Sequence, residues 1–164
     1  MLSSVDNLEE RARNIVLKLL ERGPKSSSEL ASALEKHEIP KEIAKLVIDR
    51  FSEVELIDDA SYAHQLADAS RRTQGLARSM VKRKLADKGL DQDLINQVAS
   101  DITDEDELLV ATALAIKRLR QLSKLAPEVR NRRLIGFLQR RGFGPSIVFG
   151  AIREAEADAV KSEV

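Results

Sequence analysis

The chain repeats one pattern three times, and this repetition constrains its fold more than any other feature. Segments 30–47, 81–98 and 134–151 align without gaps, and the steps from residue 34 to 85 and from 85 to 138 are 51 and 53 residues. The equivalent apolar sets are Leu30/Val81/Leu134, Leu34/Leu85/Leu138, Ile39/Leu90/Phe143, Ile43/Leu94/Ile147 and Val47/Val98/Ala151. A fixed period of this length predicts an array of stacked units, which usually presents a surface to a large partner.

The apolar residues within each repeat have helical spacing, and no stretch reads as a strand of useful length. Gly23-Pro24 predicts the end of a first helix, serines 26–28 offer caps for a second, and Pro40 suits the start of a third. We therefore predict an all-α fold of three tandem three-helix repeats in an elongated, solenoid-like array. The predicted segments are repeats 1–56, 57–102 and 103–157, followed by a C-terminal tail, 158–164, after a ninth helix that ends near Ala157.

Two positions at helix ends carry specific expectations. Gly89 and Gly142 follow the second helices of repeats two and three, and Gly89 is expected to be a left-handed C-cap. Glu38 holds the equivalent place in repeat one, so that helix is expected to end differently. The adjacent Asp58 and Asp59 suggest either a metal site or helix capping. Capping is the better explanation, because neighbouring side chains on a helix point about 100° apart.

The chemistry of an active site is absent from the sequence. There is no cysteine, which excludes disulfides and thiolate sites and fits a reducing cytoplasm. No phosphate loop occurs, and the two histidines, His37 and His64, lack partnered ligand patterns. The N-terminus does not read as a signal peptide, and the longest apolar stretch, near 108–116, is too short for a membrane span. We expect a cytoplasmic protein that is not an enzyme, with no catalytic residue, cofactor, metal or membrane contact.

Charge is segregated along the chain although 27 basic and 27 acidic residues balance. Residues 71–88 hold seven basic side chains against Asp87, and residues 117–141 hold nine against Glu128, giving net charges of +6 and +8. These two basic blocks occupy comparable places in repeats two and three. They are either a footprint for a polyanion or an acidic groove, or simply solvated helix faces; charge alone favours the second explanation.

Three motifs give the chain a family resemblance. They are Leu56–Ala63 (Leu-Ile-Asp-Asp-Ala-Ser-Tyr-Ala), Arg72–Gly75 followed by Lys84–Leu90 (Lys-Leu-Ala-Asp-Lys-Gly-Leu), and Arg132–Phe143 (Arg-Arg-Leu-Ile-Gly-Phe-Leu-Gln-Arg-Arg-Gly-Phe). In this order and spacing, on a triple helical repeat, they resemble the bacterial RecX family of RecA regulators. The resemblance covers roughly residues 8–156.

This resemblance implies a non-enzymatic protein that binds RecA and the RecA–ssDNA filament. Such a protein lowers filament-dependent ATP hydrolysis, strand exchange and co-protease activity. We expect the basic blocks to contact the filament through Arg71, Arg72, Arg78, Lys82, Arg83, Arg130, Arg132, Arg133, Arg140 and Arg141. Of these, Arg130, Arg133 and Arg141 are expected on one side of a helix, opposite Leu134 and Leu138.

The remaining expectations are a monomer and, at most, weak direct binding to DNA. The alternative function is a direct DNA-binding or architectural helical-repeat protein. Overall neutrality argues against strong independent DNA binding, because affinity grows with the number of phosphates that a protein neutralises.

Overall fold

The computed structural model describes residues 3–164, and this range holds nine α-helices and no strand. The helices are α1 (Ser4–Glu21), α2 (Ser27–Lys36), α3 (Lys41–Glu53), α4 (Asp59–Gln74), α5 (Arg78–Asp87), α6 (Gln92–Ser100), α7 (Asp104–Gln121), α8 (Pro127–Arg140) and α9 (Pro145–Ser162). They form three tandem three-helix domains, α1–α3, α4–α6 and α7–α9, so the predicted all-α repeat fold is confirmed. The residue boundaries predicted between repeats stay predictions.

Two helices are longer than their apolar patterns indicate. α1 begins at Ser4, well before Ala12, because Ser3 and Asp6 form a reciprocal cap: the Asp6 N–H donates to Ser3 Oγ at 3.2 Å, and the Ser3 N–H donates to the Asp6 carboxylate at 3.0 Å. α9 continues to Ser162, so residues 158–162 of the predicted tail are helical. Ala159 is half-buried in a cleft that residues of α7 also line, which extends the packed part of α9.

The chain divides into two compact units. One comprises the residues up to Leu66 together with Leu85–Ile95, and the other comprises Ala67–Lys84 together with Asn96–Val164. The first unit contains a core cluster of Ala12, Val16, Leu30, Leu34, Ile39, Ala44, Val47, Ile48, Phe51 and Ile57. The second contains a cluster of Ala77, Ala111, Ala115, Leu122, Leu134, Leu138, Phe143, Val148, Ala151, Ile152 and Ala155. Both clusters are largely aliphatic, and the unit borders fall inside α4, α5 and α6.

The second helices of the three repeats, α2, α5 and α8, end in the same hydrogen-bonded turn. In each turn, the N–H of an apolar residue donates to the carbonyl oxygen five residues earlier, and the residue before the donor has a positive φ. The bonds run from Ile39 to Leu34 at 3.0 Å, from Leu90 to Leu85 at 3.3 Å and from Phe143 to Leu138 at 3.3 Å. All six residues are buried, so this turn accounts for two of the five repeated apolar positions.

Repeat one makes this turn without a glycine. Glu38 has φ 60°, beside 72° for Gly89 and 94° for Gly142. The prediction of a left-handed turn at Gly89 is confirmed, Gly142 makes the same turn, and the expectation that the second helix of repeat one ends differently is wrong. The turns differ in whether another residue packs against the position with positive φ. A Cβ on Gly89 would collide with Ser28, whereas the Glu38 side chain is exposed.

The first of two junctions joins the start of α2 to repeat two, inside the first compact unit. Ser26, which is fully buried, donates its hydroxyl to the carbonyl of Lys88 at 2.5 Å. Ser27 donates its N–H and its hydroxyl to the Asp59 carboxylate, at 2.8 and 2.5 Å. Asp58 caps its own helix by accepting the Ser61 N–H at 3.0 Å. Capping of α4 by Asp58 is thereby confirmed, while Asp59 caps α2 from a distance.

The second junction joins the start of α5 to repeat three, inside the second unit, and has the same design. The Ala77 N–H donates to the Arg141 carbonyl at 3.0 Å, and the Ser79 hydroxyl donates to the Gly142 carbonyl at 2.7 Å. The Arg78 N–H donates to the buried carboxylate of Glu107 at 2.9 Å. In both junctions, groups at the start of one repeat's second helix therefore bond to the following repeat.

Gly142→Ala tests the need for glycine at the junction. We expect it to lower the free energy of unfolding by more than about 1 kcal/mol, because the left-handed φ strains an alanine and its Cβ would lie 2.5 Å from Met80 Cγ. Glu38→Ala is the matched control, since Glu38 already carries a Cβ at a similar φ; it should change stability by no more than about 0.5 kcal/mol. Urea unfolding followed by circular dichroism measures both, and equal losses would contradict this role of glycine.

Glu107 predicts a pH dependence of stability. Burial raises the pKa of its carboxyl above the ordinary 4.5, against the opposing effects of the Arg78 N–H, Arg71 and Arg78. The folded state then holds the proton more tightly than the unfolded state. The stabilisation by protonated Glu107 is complete below pH 4.5 and is lost as the pH rises through the folded pKa.

Urea unfolding from pH 4.5 to about pH 7 should therefore show wild type losing stability relative to Glu107→Gln, which stays neutral throughout. A constant difference between the two proteins across this range would show that the Glu107 pKa is not raised by folding.

Candidate functional site

Six of the ten predicted contact residues lie exposed on helices of repeats two and three. They are Arg72, Lys82 and Arg83 on α4 and α5, and Arg132, Arg133 and Arg140 on α8. Within the described part of the chain, none of the six forms an ion pair. Their charges are therefore available to an anionic partner.

Arg78 is used inside the protein. Its Nη1 donates to the Ile102 carbonyl at 2.6 Å, and its Nη2 lies 3.0 Å from the Asp104 carboxylate. Together with its N–H bond to Glu107, these contacts fasten the start of α5 to the link before α7 and to α7 itself. The side chain thus has a structural role, and its predicted role toward a partner stays a prediction.

Arg71 and Arg130 are half-buried, and neither Nε atom has a hydrogen-bond partner among the described residues. Arg71 lies near the acidic start of α7. Hydrogen bonds with Thr103 lower the pKa of the Asp106 carboxyl, and Arg71 lowers it further. Arg130 lines a cleft of about 670 Å³ between α7 and α9. Apolar residues, Arg120, two serines and the acidic residues Glu156, Asp158 and Glu163 also line it.

The expectation that Leu134 lies opposite Arg130, Arg133 and Arg141 is wrong: Arg130 and Arg141 are half-buried, and only Arg133 is exposed. At 100° per residue, Arg130, Phe137 and Arg141 fall on one stripe of a helix, within about 40° of one another. That stripe adjoins the fully buried Leu134, so Arg130, Phe137 and Arg141 are half-buried, whereas Arg133 lies farther round and is exposed.

Gln74, the last residue of α4, connects the two basic blocks within the second compact unit. Its main-chain carbonyl accepts a hydrogen bond from Arg141 Nη1, and its side-chain oxygen accepts one from Lys84 Nζ at 2.9 Å. Lys84 belongs to the block of repeat two and Arg141 to that of repeat three. The structure therefore brings together two basic residues that are distant in the sequence.

Arg141 also packs on an aromatic ring that it shares with Arg118. The guanidinium carbons of Arg141 and Arg118 lie 4.8 and 5.4 Å from the centroid of Phe137. Lys84 and Arg118 were not among the predicted contact residues. Both lie inside the basic blocks, but no local pattern indicates which basic residues converge, because they come from different helices.

Neither a metal site nor a membrane segment emerges from the described residues. No group of three or more acidic or histidine side chains between residues 3 and 164 is arranged to hold a metal ion. Among the helices in the same range, none combines the length and the apolar character that crossing a bilayer requires.

Comparison with known proteins gives a consistent result over most of the chain. Residues 12–51 match the family profile described as "RecX, first three-helix domain". Residues 58–98 and 104–152 match the profiles of the second and third three-helix domains of the same family.

Curated relatives are similar over most of their length. The chain is 36% identical over 157 residues to the regulatory protein RecX of Thermobifida fusca, covering 95% of this chain and 85% of the relative. It is 38% identical over 146 residues to the regulatory protein RecX of Streptomyces coelicolor, covering 89% and 78%. With the regulatory protein RecX of Mycobacterium avium it shares 33% identity over 146 residues, covering 88% and 84%.

Two crystal structures share the fold. The RecX structure from Lactobacillus salivarius superposes with a TM-score of 0.83 at 20% sequence identity, covering 92% of this chain and 98% of that chain. A second structure, of a regulatory protein RecX, superposes with a TM-score of 0.77 at 21% identity, covering 92% and 74%.

Proposed function

The chain belongs to the RecX family of regulatory proteins, and from this premise we propose that it binds RecA and the RecA–ssDNA filament. By binding, it inhibits the ATP hydrolysis, strand exchange and co-protease activity of the filament. It acts in the cytoplasm, as a monomer and without chemistry of its own. The family membership supports the choice of partner.

The observation that carries the proposal is the set of exposed basic side chains on repeats two and three. A RecA–DNA filament offers phosphates and acidic side chains, to which arginine binds with two parallel hydrogen bonds. Arg132, Arg133 and Arg140 lie exposed on α8 without an internal ion pair in the described range. They combine long-range attraction for the filament with short-range hydrogen bonding.

The test is DNA-dependent ATP hydrolysis by RecA, titrated with wild type and with the triple variant Arg132→Glu, Arg133→Glu and Arg140→Glu. These positions are exposed, so the reversals put no charge into the core. Each reversal turns an attraction into a repulsion, and the concentration for half-inhibition should rise about tenfold or more. Raising the salt should weaken inhibition by wild type, because exposed charges are screened over about 8–10 Å.

The matched control reverses Arg11, Arg13 and Lys18, three exposed basic residues of α1 that lie outside the basic blocks. It changes the net charge by the same amount and should inhibit RecA nearly as well as wild type. If the α8 variant is folded and inhibits as well as this control, α8 does not carry the binding surface. If wild type leaves ATP hydrolysis and strand exchange unchanged, the proposed function is wrong.

A further inference from the structure

A small cationic pocket opens on repeat three, where α7 passes the end of α8. Its volume is about 250 Å³, and it is lined by Leu114, Lys117, Arg118, Gln121, Phe137 and Arg141. Three of these residues carry a positive charge, and no carboxylate of the described chain is among them. We propose that this pocket binds a phosphate group.

Neutral acceptors hold both guanidinium groups of the pocket. Arg118 Nη1 donates to the side-chain oxygen of Gln121 at 2.8 Å, and Arg141 Nη1 donates to the main-chain carbonyl of Gln74. These bonds orient the two side chains but do not neutralise them. A guanidinium has five N–H donors, and in the described chain the hydrogen bonds of Arg118 and Arg141 each use only Nη1. The pocket therefore keeps both charge and donors available for an anion.

The shared ring of Phe137 keeps the two positive charges close together. The guanidinium carbons lie 4.8 and 5.4 Å from its centroid, so they are at most 10.2 Å apart. Like charges at such a separation repel each other across a partly buried, weakly screened site. Phe137 offsets part of this cost through cation–π contacts, and a bound anion would remove more of it.

The number of cations favours phosphate over carboxylate. A carboxylate has two oxygens and one charge, which a single arginine satisfies by paired hydrogen bonds. A phosphate group offers more acceptor lone pairs and up to two charges, so it can engage two guanidiniums and the Lys117 ammonium together. The phosphate could belong to a nucleic-acid backbone or to a free phosphate or nucleotide. This inference deepens the proposed function and rests on it, since it names a phosphate position formed by cations of the basic block 117–141.

The test uses the full chain without RecA, so its outcome is independent of the inhibition assay. Inorganic phosphate replaces chloride at constant ionic strength while NMR follows the arginine Nε–Hε signals of ¹⁵N-labelled protein. We expect saturable shifts at Arg118 and Arg141, and about tenfold or more loss of phosphate affinity in Arg118→Gln. Arg120→Gln is the matched control, because Arg120 lies on the same helix, is exposed and is outside the pocket.

A second variant guards against misfolding. If Arg118→Gln lowers the thermal midpoint, Lys117→Gln, at an exposed position, replaces it in the test. A loss of phosphate affinity smaller than that expected for Arg118→Gln is then predicted. Absence of saturable shifts at the two arginines would overturn the proposal. Equal phosphate affinity in the pocket variant and in Arg120→Gln would overturn it as well.

A labelled oligo-dT strand, followed by fluorescence anisotropy, distinguishes the two sources of phosphate. If Arg118→Gln weakens strand binding more than Arg120→Gln does, the pocket takes a backbone phosphate. If only the affinity for inorganic phosphate falls, it takes a free phosphate or nucleotide. Either result supports the site.

Discussion

The structure depends on hydrogen bonds between the start of the second helix in one repeat and acceptor groups of the repeat that follows. The first N–H groups of a helix have no partner within it and cost free energy if buried unpaired. In α2 and α5 these groups bond to carboxylates, Asp59 or Glu107, and both helix starts also bond to the main-chain carbonyls of the next left-handed turn. Adjacent repeats therefore complete each other, as expected for an array whose units are stable only together.

Much of this fold could be predicted from the sequence, because apolar periodicity and glycine turns are local signals. The repeat register, the buried leucines at 34, 85 and 138, and the turns at Gly89 and Gly142 all follow from it. The left-handed turn at Glu38 could not be predicted, since local patterns assign this conformation to glycine and do not show that the Glu38 side chain is exposed. The hydrogen bonds of Asp59 and Glu107 to the starts of other helices could not be predicted either, because sequence patterns identify caps only from residues close in the sequence.

The basic residues divide into two groups that sequence alone does not separate. Arg78 and Arg141 bond to main-chain carbonyls inside the second unit, while Arg132, Arg133 and Arg140 remain exposed. The net charge along the sequence defines the two basic blocks but does not show which of their side chains are exposed. The position of a residue around its helix and the packing of that helix decide where its side chain points. The convergence of Arg118 and Arg141 on the ring of Phe137 is therefore seen only in the structure.

Amide hydrogen exchange tests most directly whether the hydrogen bonds of the second junction protect the start of α5. The Ala77 and Arg78 N–H groups bond to Arg141 and Glu107, whereas those of Glu128 and Val129 start a helix whose N-cap residue offers no side-chain acceptor. Hydrogen-bonded amides exchange only when the structure opens. We predict that the first pair exchanges at least about tenfold more slowly than the second. Equal exchange rates would contradict the claim that hydrogen bonds to repeat three protect the start of α5.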